Sequence, residues 1–132
     1  MTRKEKTVLI VDDEMFIRQS FTDYFEDLLW RPLAAESGEQ ALKILETVSP
    51  HGAIVDIRLG GMDGDAFIRE AIRKKPKTAF VICTGFPEYD VPADLLELPC
   101  VSDQVFRKPV TDMKKLEKEI LRLIGDIEKK RG

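Results

Sequence analysis

Four places in this 132-residue chain carry groups able to do chemistry: Asp12-Asp13, Asp56, Thr84 and Lys108. The first three directly follow short apolar runs, in turn Val8–Val11, Ala53–Val55 and Ala79–Cys83, and Lys108 follows Val105-Phe106 after one arginine. Runs of that length, bounded by turn residues, predict strands buried on both faces. Asp56 alone reads better as a turn cap. In a parallel sheet, however, all strand C-termini share one edge, and the four places converge there. Three carboxylates at close quarters repel one another unless a cation intervenes. A hard dication with oxygen ligands meets that need, and Mg2+ commonly takes one or two carboxylates, retained waters and a phosphoryl oxygen. Lys108 adds a mobile positive charge and Thr84 a hydroxyl donor, both suited to phosphoryl oxygens. Asp56 is itself a candidate nucleophile, since carboxylates form aspartyl phosphates. Together these residues suit phosphoryl transfer.

The elements between them must hold those ends in place. Ile17, Phe21, Tyr24, Phe25 and Leu28 recur at helical spacing and predict a helix with one apolar face. Arg31–Ala35 reads as a strand, and Pro32 favours an edge position because proline donates no ladder hydrogen bond. Ser37-Gly38-Glu39-Gln40 is a capping box opening a second helix, with Ala41, Ile44, Leu45 and Val48 inward. Gly60, Gly61 and Gly64 mark a loop behind Asp56. A third helix then turns Phe67, Ile68, Ala71 and Ile72 inward and stops at Pro76. Between Phe86 and Ser102, three prolines leave room only for a short helix near Ala93–Leu98. Thr111 is a good N-cap for a final helix from Asp112, with Met113, Leu116, Ile120, Leu123 and Ile127 facing inward. Strands alternating with helices five times predict an α/β fold, a parallel sheet covered by helices on both faces.

Length and composition predict one soluble domain with a single sizeable core, with 43% apolar and 34% charged residues. A net charge of -3 argues against a nucleic-acid-binding surface. Met1–Lys6 is polar, and no apolar stretch approaches the ~20 residues that span a bilayer, so a cytoplasmic location is expected. Cys83 and Cys100 lack metal-ligand or redox spacing. His51 reads as a surface-loop residue, Lys74, Lys75 and Lys77 as a solvated helix end, and Trp30 as packing against the first helix.

On the acidic pair Asp12-Asp13, Asp56 with Met62-Asp63-Gly64, Thr84-Gly85 and Lys108-Pro109, the chain resembles a response-regulator receiver domain of two-component signalling, the CheY-like superfamily. The resemblance covers nearly the whole chain, with a core of about residues 6–128. It implies a flavodoxin-like doubly wound sheet of strand order 2-1-3-4-5, with Asp56 as phosphoacceptor. It further implies that Asp13, Asp56 and the backbone carbonyl of Arg58 ligate Mg2+, with Asp12 acting through water. Thr84 and Lys108 would contact the phosphoryl group, and the Lys108-Pro109 peptide would be cis. The implied partners are a sensor histidine kinase or phosphotransfer protein, which donates the phosphoryl group, and a downstream protein target. No direct contact with nucleic acid or membrane is expected, and the resemblance implies a domain that regulates rather than a conventional enzyme.

Three features depart from the family pattern. Leu59-Gly60 replaces the usual Met-Pro pair, which is expected to loosen the loop behind Asp56. Val105 stands where a switch aromatic is usual, with the ring one place later at Phe106, on the opposite face of the strand. A proline-punctuated stretch at 86–102 replaces the long fourth helix. The competing reading is a receiver used as a binding module whose interactions do not depend on phosphorylation. A haloacid-dehalogenase-type phosphohydrolase would need an Asp-x-Asp-x-Thr signature that Asp12–Phe16 lacks. A flavodoxin would bind phosphate where three acidic residues repel it.

Overall fold

The computed structural model describes residues 5–131, so the polar character expected of residues 1–4 lies outside the described residues. Five strands, β1 (Thr7–Val11), β2 (Arg31–Ala35), β3 (Gly52–Val55), β4 (Ala79–Thr84) and β5 (Val101–Arg107), form one sheet in the order β2-β1-β3-β4-β5. All pairings are parallel. Between them lie α1 (Met15–Asp27), α2 (Gly38–Leu45), α3 (Gly64–Lys74) and α4 (Ala93–Leu96), and α5 (Met113–Arg131) follows β5. This is the flavodoxin-like arrangement, with the proline-bearing β2 at an edge as expected.

Every residue of β3 and β4 is buried, which follows from helices covering both faces of a parallel sheet. Strand residues alternate between two cores. Leu9, Val11, Ala53, Val55, Phe80 and Ile82 pack under α2 and α3, while Val8, Ile10, Ile54, Val81 and Cys83 pack under α1 and α5. Phe21 and Phe25 bury the face of α1, and Trp30 closes it by packing edge-on against Phe25, with ring centroids 5.0 Å apart. Leu28, expected to share that face, is instead the exposed C-cap. Leu29 then adopts φ 66°, and Trp30 N–H bonds back to the Phe25 carbonyl, so the helix ends in a Schellman-type turn with leucine where glycine is usual.

Other boundaries differ from the sequence expectation for local reasons. Ser37 caps α2 as predicted, its Oγ accepting from Gln40 N–H, but Gln40 reaches back to Glu36 N–H and the helix ends at Leu45. Asp112, not Thr111, caps α5, accepting from Lys115 N–H at 3.0 Å. The fourth helix is a single turn, Ala93–Leu96. β5 begins at Val101, well before Val105, because its first half contains a bulge. The register advances from Phe80↔Val101 to Ile82↔Val105, and polar Ser102, Asp103 and Gln104 occupy the extra length.

Candidate functional site

The backbone ladder continues one residue past several strands and fixes the reactive side chains. Asp12 N–H bonds to the Ala35 carbonyl, Asp56 N–H to the Val11 carbonyl, and Lys108 N–H to the Thr84 carbonyl. Asp12, Asp56 and Lys108 therefore begin where the sheet ends, on the same edge. The loop after Asp56 is held rather than loose. Arg58 N–H bonds to Asp56 Oδ1, Leu59 is buried, and Glu39 of α2 accepts from Met62 N–H. Gly61 takes φ 77°, and a Cβ on Gly64 would overlap the Asp56 carbonyl, so α3 can start against Asp56 only with glycine there. Asp63 caps α3 by accepting from Ala66 N–H.

The Lys108 ammonium lies 2.8 Å from Asp12, 3.0 Å from Asp56 and 2.7 Å from Glu14. Asp12 and Asp56 are buried, and Thr84 is fully so, while Asp13 and Glu14 are exposed. Burial pushes the Asp12 carboxyl upward, against the lowering pull of Lys108 and of Glu14 N–H. Burial also works against the Lys108 charge, yet its three carboxylate partners outweigh it and hold Lys108 above its usual range. The carboxylates of Asp12, Asp13, Glu14 and Asp56 can each bring an oxygen within 4.8 Å of the others. That all-oxygen donor set suits Mg2+. Asp13, Glu14, Asp56, Arg58, Thr84, Phe86 and Lys108 line an open cleft of about 380 Å3, over which the Arg58 guanidinium stacks 4.2 Å from the Phe86 ring centroid. Thr84 Oγ1 accepts from Phe86 N–H at 3.2 Å. The Lys108-Pro109 peptide is cis.

Asp12, Asp13, Asp56, Arg58, Thr84, Lys108 and Pro109, the residues expected at the phosphoryl site, meet here. Glu14, which directly follows the acidic pair but was not among them, joins the site through Lys108. The other residues considered from the sequence lie elsewhere. His51 is exposed at the opposite end of the sheet, its Nδ1 accepting from Thr7 N–H. With Lys74, Lys75 and Lys77 it lines a larger groove of about 740 Å3, where Glu5 and Glu128 interrupt the lysines. Volume alone would favour that groove, but no reactive set converges in it. Burial pushes the Cys83 thiol up to about 12 and raises Cys100 as well, so both are inert core.

Acids and a lysine at the C-terminal edge of a sheet of this order stand where open α/β folds bind ligands. Comparison with known proteins identifies the family. Residues 8–121 match the response regulator receiver domain family, and the chain belongs to that family. It is 29% identical over 91 residues to the chemotaxis protein CheY of Listeria monocytogenes, covering 68% of this chain and 76% of that one. It is also 29% identical over 119 residues to a protein-glutamate methylesterase/protein-glutamine glutaminase of Oleidesulfovibrio alaskensis, covering 88% of this chain and 33% of that one. The chain spans about a third of the length of several curated relatives it matches. Among solved structures, a CheY-like receiver domain from Methanospirillum hungatei JF-1 superposes with TM-score 0.80 at 26% identity, covering 96% of this chain and 99% of that one. The response regulator TrrA of Thermotoga maritima, in complex with Mg2+ and BeF, superposes with TM-score 0.74 at 25% identity, covering 89% and 98%. Receiver domains are regulatory modules of two-component signalling. No helix among the described residues is long and apolar enough to cross a membrane.

Proposed function

We propose that this receiver accepts a phosphoryl group on Asp56 from the phosphohistidine of a kinase or phosphotransfer partner, in a Mg2+-dependent reaction that switches its binding to a protein target. The observation that carries the reading is the Lys108 ammonium bridging Asp12 and Asp56 at the mouth of the cleft. In the transfer, an Asp56 carboxylate oxygen attacks phosphorus. The new P–O bond forms as the donor P–N bond breaks, and the imidazole leaves with the electron pair. Lys108 moves one hydrogen bond from Asp56 to a phosphoryl oxygen, and the Thr84 hydroxyl turns to donate to another. Asp13, Asp56 and the Arg58 carbonyl would hold Mg2+, with Asp12 acting through water. When bound, that ion offsets the charge shared by the carboxylates and the phosphoryl group. Pro109 fixes the chain just after Lys108.

Acetyl phosphate with Mg2+ is expected to add one phosphoryl mass to the intact protein. The added mass disappears in Asp56→Asn and in the presence of EDTA. Full labelling of Asp56→Asn would remove the site assignment. Target binding that is indifferent to phosphorylation would favour the phosphorylation-independent module instead.

A further inference from the structure

Val105 is half-buried and too short to report on Thr84 by swinging, and its branched side chain is stiff about its first torsion. A different ring lies within reach of the Thr84 loop. Tyr89 comes from the β4–α4 connection, is only 6% exposed, and packs in the same core as Ile57, Leu59 and Phe67, against which Val105 also rests. Its hydroxyl donates to Asp65 Oδ1, in the first turn of α3, at 2.6 Å.

The backbone beneath this ring is tied to β5 by a single side chain. Arg107 Nη1 donates to the Phe86 carbonyl at 2.7 Å, and Nη2 donates to the Tyr89 carbonyl at 2.9 Å. One planar fork thus fixes two carbonyls three residues apart, and they cannot move independently without losing a charge-assisted bond. The Phe86 end of that unit is the residue whose N–H bonds to Thr84 Oγ1. Arg107 also pairs with Thr84 across the sheet and directly precedes Lys108.

We propose that Arg107 is a positioning residue and Tyr89 the moving ring that together carry a change at Thr84 to the start of α3. The proposal rests on the phosphoacceptor reading of Asp56. Turning the Thr84 hydroxyl toward a phosphoryl group weakens its bond from Phe86 N–H. Phe86 then shifts, and the Arg107 fork transmits the shift to the Tyr89 backbone. The ring, anchored at its far end by Asp65, must tilt in its pocket or pull on α3. Burial first, and the Asp65 carboxylate second, keep the phenol well above its usual range, so it remains a neutral donor throughout. The surface that changes is the α3 start with the loop leading to α4, where Arg69 of α3 already pairs with Asp94 of α4 at 2.8 Å.

The chain contains two tyrosines, so 3-fluorotyrosine labelling gives two 19F signals, assigned by Tyr24→Phe. On treatment with acetyl phosphate and Mg2+, the Tyr89 signal is expected to shift while that of Tyr24 stays. In Arg107→Gln, intact mass should show the same phosphoryl uptake with the Tyr89 shift lost. Arg107→Lys, which keeps the charge but cannot bridge both carbonyls, should behave alike and serves if the glutamine variant fails to fold. Added mass with an unmoved Tyr89 signal, or a wild-type shift in both Arg107 variants, overturns this proposal alone. No added mass in the wild type overturns the phosphoacceptor reading, and this proposal with it.

Discussion

The C-terminal edge of the sheet and the stretch from Phe86 to Gln104 border each other but are built on different principles. At the edge, backbone ladders set the position of the reactive residues, and Lys108 pairs with three carboxylates at once. Between Phe86 and Gln104, short backbone turns give little regular structure, and side chains do the fastening. Arg107 holds two carbonyls, Tyr89 reaches α3, and Ser102 inside the bulge bonds to both Gln104 N–H and buried Glu119. A site whose geometry is set by a sheet tolerates large changes in the loops around it. A region set by a few side chains can be moved by altering one of them, which suits it to carry a signal. Three prolines and one short helix leave 86–102 with little regular structure, yet Tyr89, Val91, Leu95 and Cys100 are buried.

The sharpest way to break this contrast is at Lys108. Lys108→Met leaves Asp12 and Asp56 facing each other, buried and uncompensated. We expect a loss of about 2–4 kcal/mol without metal, below the fully buried range because the cleft is open to water. The deficit should shrink as pH falls, because protonation of Asp12, already pushed upward by burial, relieves the repulsion. Urea unfolding at pH 7 and pH 4 reads both effects. An unchanged midpoint would mean that the edge is not held by charge.

The cover of the cleft gives a smaller effect. Arg58→Ala combined with Phe86→Ala removes the stacked pair beside Asp56. Phosphate loss from the phosphorylated protein, followed by intact mass, should accelerate by roughly tenfold, the equivalent of one modest barrier contribution. No acceleration would exclude shielding by this pair.

On the other side of the comparison, Glu119 anchors the β5 bulge. The Arg122 hydrogen bond holds its carboxyl below the usual range, despite burial. Its folded-state pKa is lowered, so its contribution is present above the ordinary glutamate range and disappears as pH falls through the lowered value. Glu119→Gln should therefore lower the melting temperature by roughly 3–6 °C at pH 7, with the difference shrinking as pH falls below the ordinary glutamate range. A constant difference across pH would assign the effect to packing.

The smallest expected effect is a gain. Asp13→Asn removes one charge from the acidic cluster and should raise the metal-free melting temperature by roughly 2–4 °C. It should also abolish stabilisation by Mg2+. A lower metal-free melting temperature would contradict the repulsion argument.

The sequence by itself determined the sheet and its reactive edge. Apolar runs ending in Asp12, Asp56, Thr84 and Lys108 are local signals, and parallel topology turns four local strand ends into one place. Helix faces were equally legible, because periodicity survives wherever one side of a helix is buried. What the tertiary structure decided were the features made by distant partners. The first half of β5 is hidden in the sequence because Ser102, Asp103 and Gln104 are polar, and only Glu119, seventeen residues away on α5, makes Ser102 a buried bulge residue. Glu14 became part of the site only when Lys108, ninety-four residues away, came to lie beside it. Arg107 and Tyr89 carry no pattern of their own. Their roles come from a guanidinium meeting two carbonyls of another segment, and no periodicity or spacing along the chain encodes a meeting of that kind.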